Sequence, residues 1–218
     1  MGHRIDMYQH IDGFYSELGD TEPGKWRTGT AWLASGGKHG AIWCHAEGDP
    51  ETNCATIMTN GTNTERNHFL QSHLLLGVYP TIPFPDNDHE ILPHPRADEI
   101  YQEYGPLFHA MHGKRWSTIP HAVTIDSSNT AVSSTAVVNI FEMKPFGNEC
   151  YGIAIVWSNT SVIDLSLNVG ENKRYTAKKC NILHPGMVQK NIECQMTKTG
   201  SILNIPLVRG CAVVNVCV

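Results

Sequence analysis

Two patterning regimes divide the chain. From about residue 121 onward, apolar and polar positions alternate with period two, as strands with one buried face require. Ser161–Val169 sets Ile163, Leu165, Leu167 and Val169 on one side, with Asp164, Ser166 and Asn168 on the other. Met187–Met196 repeats the pattern, with Val188, Ile192, Cys194 and Met196 facing away from Gln189, Asn191, Glu193 and Gln195. Val132–Met143, Cys150–Trp157, Ile202–Val208 and Cys211–Val218 are further strand candidates. Turn-forming stretches separate them: Lys144-Pro145-Phe146-Gly147-Asn148, Ser158-Asn159-Thr160, Gly170-Glu171-Asn172, Thr199-Gly200 and Arg209-Gly210. Short strands with turns this close together predict an antiparallel β-sandwich.

The earlier regime mixes helix and strand patterns. Met7–Tyr15 predicts a short strand entering a loop. Gly40–His45 is an apolar run closed by Glu47-Gly48-Asp49-Pro50, as in a buried strand that ends in a polar loop. Thr64 can cap a helix reaching Leu76, with Leu70, His73, Leu74 and Gly77 along one face and a stop at Gly77. The prolines of Tyr79–Pro85 impose an extended path, and the polar loop Asp86–Glu90 follows. Residues 97–112 predict a second helix, with Ile100, Tyr104, Leu107 and Met111 on one stripe and a kink or split expected at Pro106. The predicted fold is an α+β chain in two parts: residues 1–119 form a partial (β/α) barrel segment, and residues 120–218 an antiparallel β-sandwich. The boundary is placed near Ile119-Pro120.

Composition adds constraints. The 218 residues carry a net charge of −5 and no basic patch, which argues against nucleic acid as a partner. No apolar run is long enough to span a membrane. The opening stretch MGHRIDMYQHIDGFY lacks the apolar segment of a secretory signal peptide, and an extracellular site stays open if the chain is a fragment. The seven Cys include no C-x-x-C pair, so a zinc site of the usual spacing is not expected. Their odd number argues against a disulfide framework, and most read as small buried hydrophobes. Cys211 and Cys217 share a strand face but lie too far apart along it to bond each other. Asn60-Gly61-Thr62 and Asn159-Thr160-Ser161 match the N-glycosylation acceptor pattern.

Four stretches carry a resemblance. They are Asp12-Gly13-Phe14-Tyr15-Ser16-Glu17; Leu75-Leu76-Gly77-Val78-Tyr79-Pro80 running into Asn87-Asp88-His89; Tyr104-Gly105-Pro106-Leu107-Phe108 with Gly113-Lys114-Arg115-Trp116; and the tail. Within the tail stand Asn139-Ile140-Phe141-Glu142, His184-Pro185-Gly186 and Ile205-Pro206-Leu207-Val208-Arg209-Gly210-Cys211-Ala212. In order and spacing they resemble the end of a glycoside hydrolase with a (β/α)8 barrel and a C-terminal β-sandwich. The resemblance is one of arrangement and singles out no one family. It departs from the pattern in strand number, because residues 1–119 hold too few strand-plus-helix units to close such a barrel. It implies a carbohydrate substrate or ligand, no cofactor and no metal, and the remaining N-terminal part of the same protein as a partner.

Glycoside hydrolysis employs two carboxyl groups flanking the scissile bond. In a barrel they stand where strands end, at the carboxyl edge. Asp12 and Glu17, expected just past the first strand with a turn between them so that both point inward, and Glu47, after the second, are the candidate catalytic acids; solvated loop charges are the competing reading. Trp26 and Trp43 are candidate stacking platforms for a sugar ring, and for Trp43, inside an apolar run, a core position stands as the alternative. His45 and the cluster Asp86, Asn87, Asp88 and His89 are candidate hydroxyl contacts; a turn between proline segments is the bland alternative for the cluster. Trp116 and Trp157 read as packing residues. Two other functions compete: a non-catalytic carbohydrate-binding or accessory β-sandwich module, and a truncated remnant.

Overall fold

The structure, a computed structural model, describes residues 13–17, 39–43, 54–81, 94–117, 119–126, 135–143, 149–169, 179–186 and 192–217. The chain divides into two compact units, Met1–Gly105 and Pro106–Val218.

In the first unit, β1 (Gly13–Glu17), β2 (His39–Trp43) and β3 (Val78–Thr81) form a parallel sheet in chain order. Parallel neighbours need a long crossover, and between β2 and β3 lie helices α1 (Cys54–Asn60) and α2 (Asn63–Leu76). β1 extends two residues past the expected Tyr15, because the strand follows its pairing with β2 as far as Glu17.

The N-cap of α2 is Thr62 rather than Thr64. The Thr62 hydroxyl accepts from the Glu65 N–H at 3.2 Å, and the Glu65 carboxylate accepts from the Thr62 N–H at 2.7 Å. Thr62-Asn63-Thr64-Glu65 is thus a capping box, which satisfies two helix-start donors at once and outcompetes a cap two residues later. Gly77 ends the helix at φ 69°, a left-handed conformation that glycine adopts without Cβ strain. The expected apolar stripe understates the burial: Phe69, Leu70, Gln71, Ser72, His73, Leu74 and Leu75 are all buried. The end of α2 is therefore enclosed nearly all round, which explains why one-sided amphipathicity describes it poorly.

Helix α3 spans Pro95–Met111 and contains Pro106 without being split, although the division between the compact units falls at the Gly105–Pro106 bond. The expected stripe of Ile100, Tyr104, Leu107 and Met111 is buried. Near its start, Arg96 donates to the carbonyls of Thr59 at 3.0 Å and Gly61 at 3.0 Å, supplying partners that the end of α1 lacks within its own helix.

The second unit is antiparallel β-structure arranged as a sandwich. Its strands are β4 (Arg115–Trp116), β5 (Val123–Ile125), β6 (Val137–Met143), β7 (Cys150–Val156), β8 (Val162–Leu167), β9 (Lys179–Leu183), β10 (Ile192–Glu193), β11 (Ser201–Pro206) and β12 (Ala212–Cys217). One sheet has the order β10-β9-β12-β7-β6-β4 and the other β11-β8-β5. Their facing side chains form the core: Ile153, Ile155, Ile182, Val214 and Val216 from the larger sheet, and Ile163, Leu165, Leu167, Ile202 and Ile205 from the smaller. The alternation read from Ser161–Val169 holds, with Ile163, Leu165, Leu167 and Val169 buried. Asp164, on the opposite side, accepts from the Asn204 N–H at 2.6 Å, where β11 bulges and Asn204 has φ 56°. Of the expected strand Met187–Met196, the described part is short. Ile192 and Glu193 pair with β9 at the sheet edge, and the Cys194 N–H donates to the Cys180 carbonyl at 3.2 Å; Ile192 is exposed against expectation, while Cys194 and Met196 pack against the core as expected.

The central strands of the larger sheet, β7 and β12, are buried on both faces. Phe141, Ala154, Val156 and Val213 point away from the sandwich core, yet none is more than 1% exposed. Part of the cover comes from the end of α3 and the residues after it. A Cβ on Gly152 would stand 2.8 Å from Met111 Sδ and 3.0 Å from Lys114 Cδ, so only the missing side chain lets this segment approach so closely. Lys114 is buried and donates to the Ala110 carbonyl at 2.6 Å, a cation placed at a helix C-terminus.

The cysteines depart from expectation. Cys150 bonds Cys217 and Cys180 bonds Cys194, while Cys211 is a buried free thiol. An odd total does not forbid two pairs; one bond joins β7 to β12 and the other joins β9 to Cys194 just past β10, which spacing along one strand cannot reveal. Cys150 and Cys217 are register partners on β7 and β12. In the loop-entropy picture, closing a separation of 67 residues stabilises by about 4 kcal/mol and closing one of 14 by about 3 kcal/mol. Replacing Cys150 and Cys217 together by Ser is expected to lower the urea-unfolding free energy by about 4 kcal/mol, more than the Cys180/Cys194 double replacement. The reverse order of the two losses would contradict this ranking.

Candidate functional site

The parallel sheet of the first unit defines an edge with chemical potential. In open α/β sheets and in barrels, ligands gather at the carboxyl ends of parallel strands, where loops leave the sheet and backbone groups lack ladder partners. Here β1, β2 and β3 end at Glu17, Trp43 and Thr81. The register pairs Glu17 with Trp43 and Trp43 with Thr81, so the three occupy one row across the sheet. That row holds a Glu, a Trp and a Thr at neighbouring register positions. Separate stretches of sequence supply them, and only strand pairing makes them neighbours. Thr81 was not singled out by the sequence.

Of the sequence candidates, Glu17 and Trp43 fall on this row. Glu17 is the last residue of β1, and Asp12 precedes the strand's first residue, so the strand itself intervenes between those two carboxylates. Asp12, Trp26, His45, Glu47, Asp86, Asn87, Asp88 and His89 lie outside the described residues. Along the chain, His45 and Glu47 come after the end of β2, and Asp86 to His89 after the end of β3.

Buried polar groups elsewhere serve the fold. Tyr104 is fully buried, accepts from Gln71 Nε2 at 3.0 Å and donates to Asn67 Oδ1 at 2.7 Å, tying α3 to α2. Trp116 Nε1 donates to Asn139 Oδ1, in keeping with a packing role. His184 is buried, with Nε2 on the Pro206 carbonyl at 2.6 Å. Among the described residues, no group of three or more His, Cys, Asp or Glu is placed to hold a metal ion, and no helix is long and apolar enough to cross a membrane.

No protein-family model matches the chain, and no curated protein is significantly similar to it.

His73 is a buried titratable group whose shift bears on stability below neutral pH. Its ring is fully buried on α2, and Nδ1–H donates to the Phe69 carbonyl at 2.9 Å. Burial disfavours the imidazolium and holds the pKa down at about 4, against an ordinary 6.5, despite that hydrogen bond. The unfolded chain therefore takes up this proton first as pH falls. Stability contributed by the neutral ring is complete above about pH 6.5 and is lost on acidification toward pH 4. His73→Leu is expected to remove on the order of 3 kcal/mol of that acid dependence. Urea unfolding of both proteins at pH 7 and pH 4.5 checks this; parallel losses in the two would contradict it.

Proposed function

We propose that the chain is the C-terminal portion of a carbohydrate-active, glycoside hydrolase-like protein, in which residues 1–119 supply strands of a (β/α) barrel and the antiparallel sandwich follows. The parallel ladder β1-β2-β3 in chain order, with Glu17, Trp43 and Thr81 aligned at its carboxyl edge, is the observation that carries this reading. Barrel strands also succeed one another in chain order, and barrel enzymes build their sites at that edge.

In this reading Glu17 and Glu47 are the leading pair for acid and nucleophile or base, because one ends a strand and the other follows one in sequence. Asp12, on the amino side of β1, stands behind them. Trp43 and Trp26 offer ring faces to the sugar. His45, Asp86, Asn87, Asp88 and His89 are hydroxyl contacts, and Thr81 joins them. The three parallel strands among the described residues do not close a barrel, so in this reading the barrel is completed by further strands of the same protein.

The sandwich supports this reading over that of a free-standing sugar-binding module. Such a module stacks sugars on exposed rings. Among the described residues, the exposed large apolar side chains are Val162, Ile192, Leu203 and Val208, all aliphatic. On the outer face of the larger sheet, Phe141, Ala154, Val156 and Val213 are buried.

The purified chain is expected to show no hydrolysis of a polysaccharide panel, and an antibody to the sandwich is expected to detect a native product several times heavier than 24.2 kDa. Robust turnover by the chain alone, abolished by Glu17→Gln, would overturn the incompleteness. A native band at 24.2 kDa with sugar binding but no turnover would move the binding module to first place.

A further inference from the structure

Asn159-Thr160-Ser161 has the N-x-Ser/Thr pattern of an N-glycan acceptor, and nothing in the proposed function uses it. It occupies the turn between β7, which ends at Val156, and β8, which begins at Val162. Asn159 is exposed while the chain on either side of it is fastened. The Ser158 N–H donates to the Gly210 carbonyl at 3.2 Å, the Thr160 N–H to Ser158 Oγ at 3.1 Å, and the Ser161 carbonyl accepts from the Leu207 N–H at 2.8 Å. The amide therefore stands out from a held turn, where a bulky substituent displaces no packed group.

Two independent observations point the same way. Four cysteines of this unit form disulfides, which persist in oxidising compartments, and N-glycans are attached in such a compartment. Apolar surface also borders the turn: Val162 is 47% exposed, and Val208, next to the Leu207 that bonds Ser161, is 39% exposed. The apolar face of a first sugar suits such a surface, which otherwise favours self-association.

We propose that Asn159 carries an N-linked glycan that lies over Val162 and Val208. In the transfer, Asn159 Nδ2 forms a bond to the anomeric carbon of an oligosaccharide carried on a lipid diphosphate. The bond from that carbon to the diphosphate oxygen breaks, the lipid diphosphate leaves with the electron pair, and one Nδ2 proton passes to a base of the transferase. The other acceptor is placed differently. Asn60 is the last residue of α1, the Gly61 N–H is bonded to the Ile57 carbonyl at 3.0 Å, and the Thr62 hydroxyl is engaged by Glu65 in the capping box. Those local helix contacts compete with the extended conformation an acceptor must present, so the proposal is confined to Asn159.

The test uses the full-length protein recovered from the cells that make it, treated with a peptide-N-glycosidase. The expected result is a loss of mass on digestion, with aspartate found at position 159 in the released peptide. Asn159→Gln and Ser161→Ala are each expected to abolish that loss at this site, and Ser161→Thr, which keeps the acceptor pattern, to retain it. An unmodified Asn159 peptide in the native protein, or aspartate found only at position 60, would overturn the proposal.

Discussion

The constraint on which the second unit depends is burial, on both faces, of the central strands of its larger sheet. β7 and β12 stand at its centre, flanked by strands on either side and bonded to each other along their length. Every residue of β7 after Cys150 is buried, and in β12 only Asn215 and Cys217 escape full burial. With no solvated face, these strands must be apolar on both sides, and Ile153 and Ile155 point one way while Ala154 and Val156 point the other. The small residues are as important as the large ones. Ala154 and Gly152 keep the outer face low enough for Met111 and Lys114 to come down on it, and close packing of that kind tolerates little added volume. The Cys150–Cys217 bond then fixes the register of the same two strands at their end.

That constraint also explains what the sequence disclosed and what it hid. β8 alternates cleanly, and its inward set was legible as Ile163, Leu165 and Leu167. The central strands present nearly continuous apolar runs, from which a strand can be inferred but not its two distinct faces. β9, short and flanked by Lys178 and Lys179, has no pattern strong enough to mark it, although Cys180 and Ile182 belong to the core. The disulfides were hidden for a related reason, because each joins segments paired through tertiary structure. In α2 the local signal is the capping box Thr62-x-x-Glu65, and Thr64, two residues inside it, offers no such reciprocal pair.

The candidate site shows the same division between local and non-local information. Glu17 and Trp43 could be picked out separately, one as a carboxylate near a predicted strand and the other as an indole inside an apolar run. Their shared row could not, because a parallel ladder brings together residues from distant parts of the chain through a crossover whose length the sequence does not encode simply. Asp12 and Glu17 looked like a pair because they are close in sequence. A strand lying between them is a poor way to hold two carboxyl groups on one glycosidic bond.

Cys211 bears on the compartment in which this fold can persist. A free thiol beside two disulfides invites exchange, since a thiolate attacks a disulfide sulfur and scrambles the pairing. Cys211 is completely buried, and desolvation pushes its pKa far above the ordinary thiol range. Both conditions for attack, ionisation and access, are thus withheld in the folded state. An unpaired cysteine is in this way compatible with an oxidising environment, provided it is enclosed before the others are challenged. The short connection that seats it, with Val208 and Cys211 bonded to each other by both backbone pairs, lies between β11 and β12. Its carbonyl at Gly210 also anchors the turn that presents Asn159. The end of the sandwich that shelters the reactive thiol is the end that displays the acceptor amide, and one set of backbone hydrogen bonds serves both.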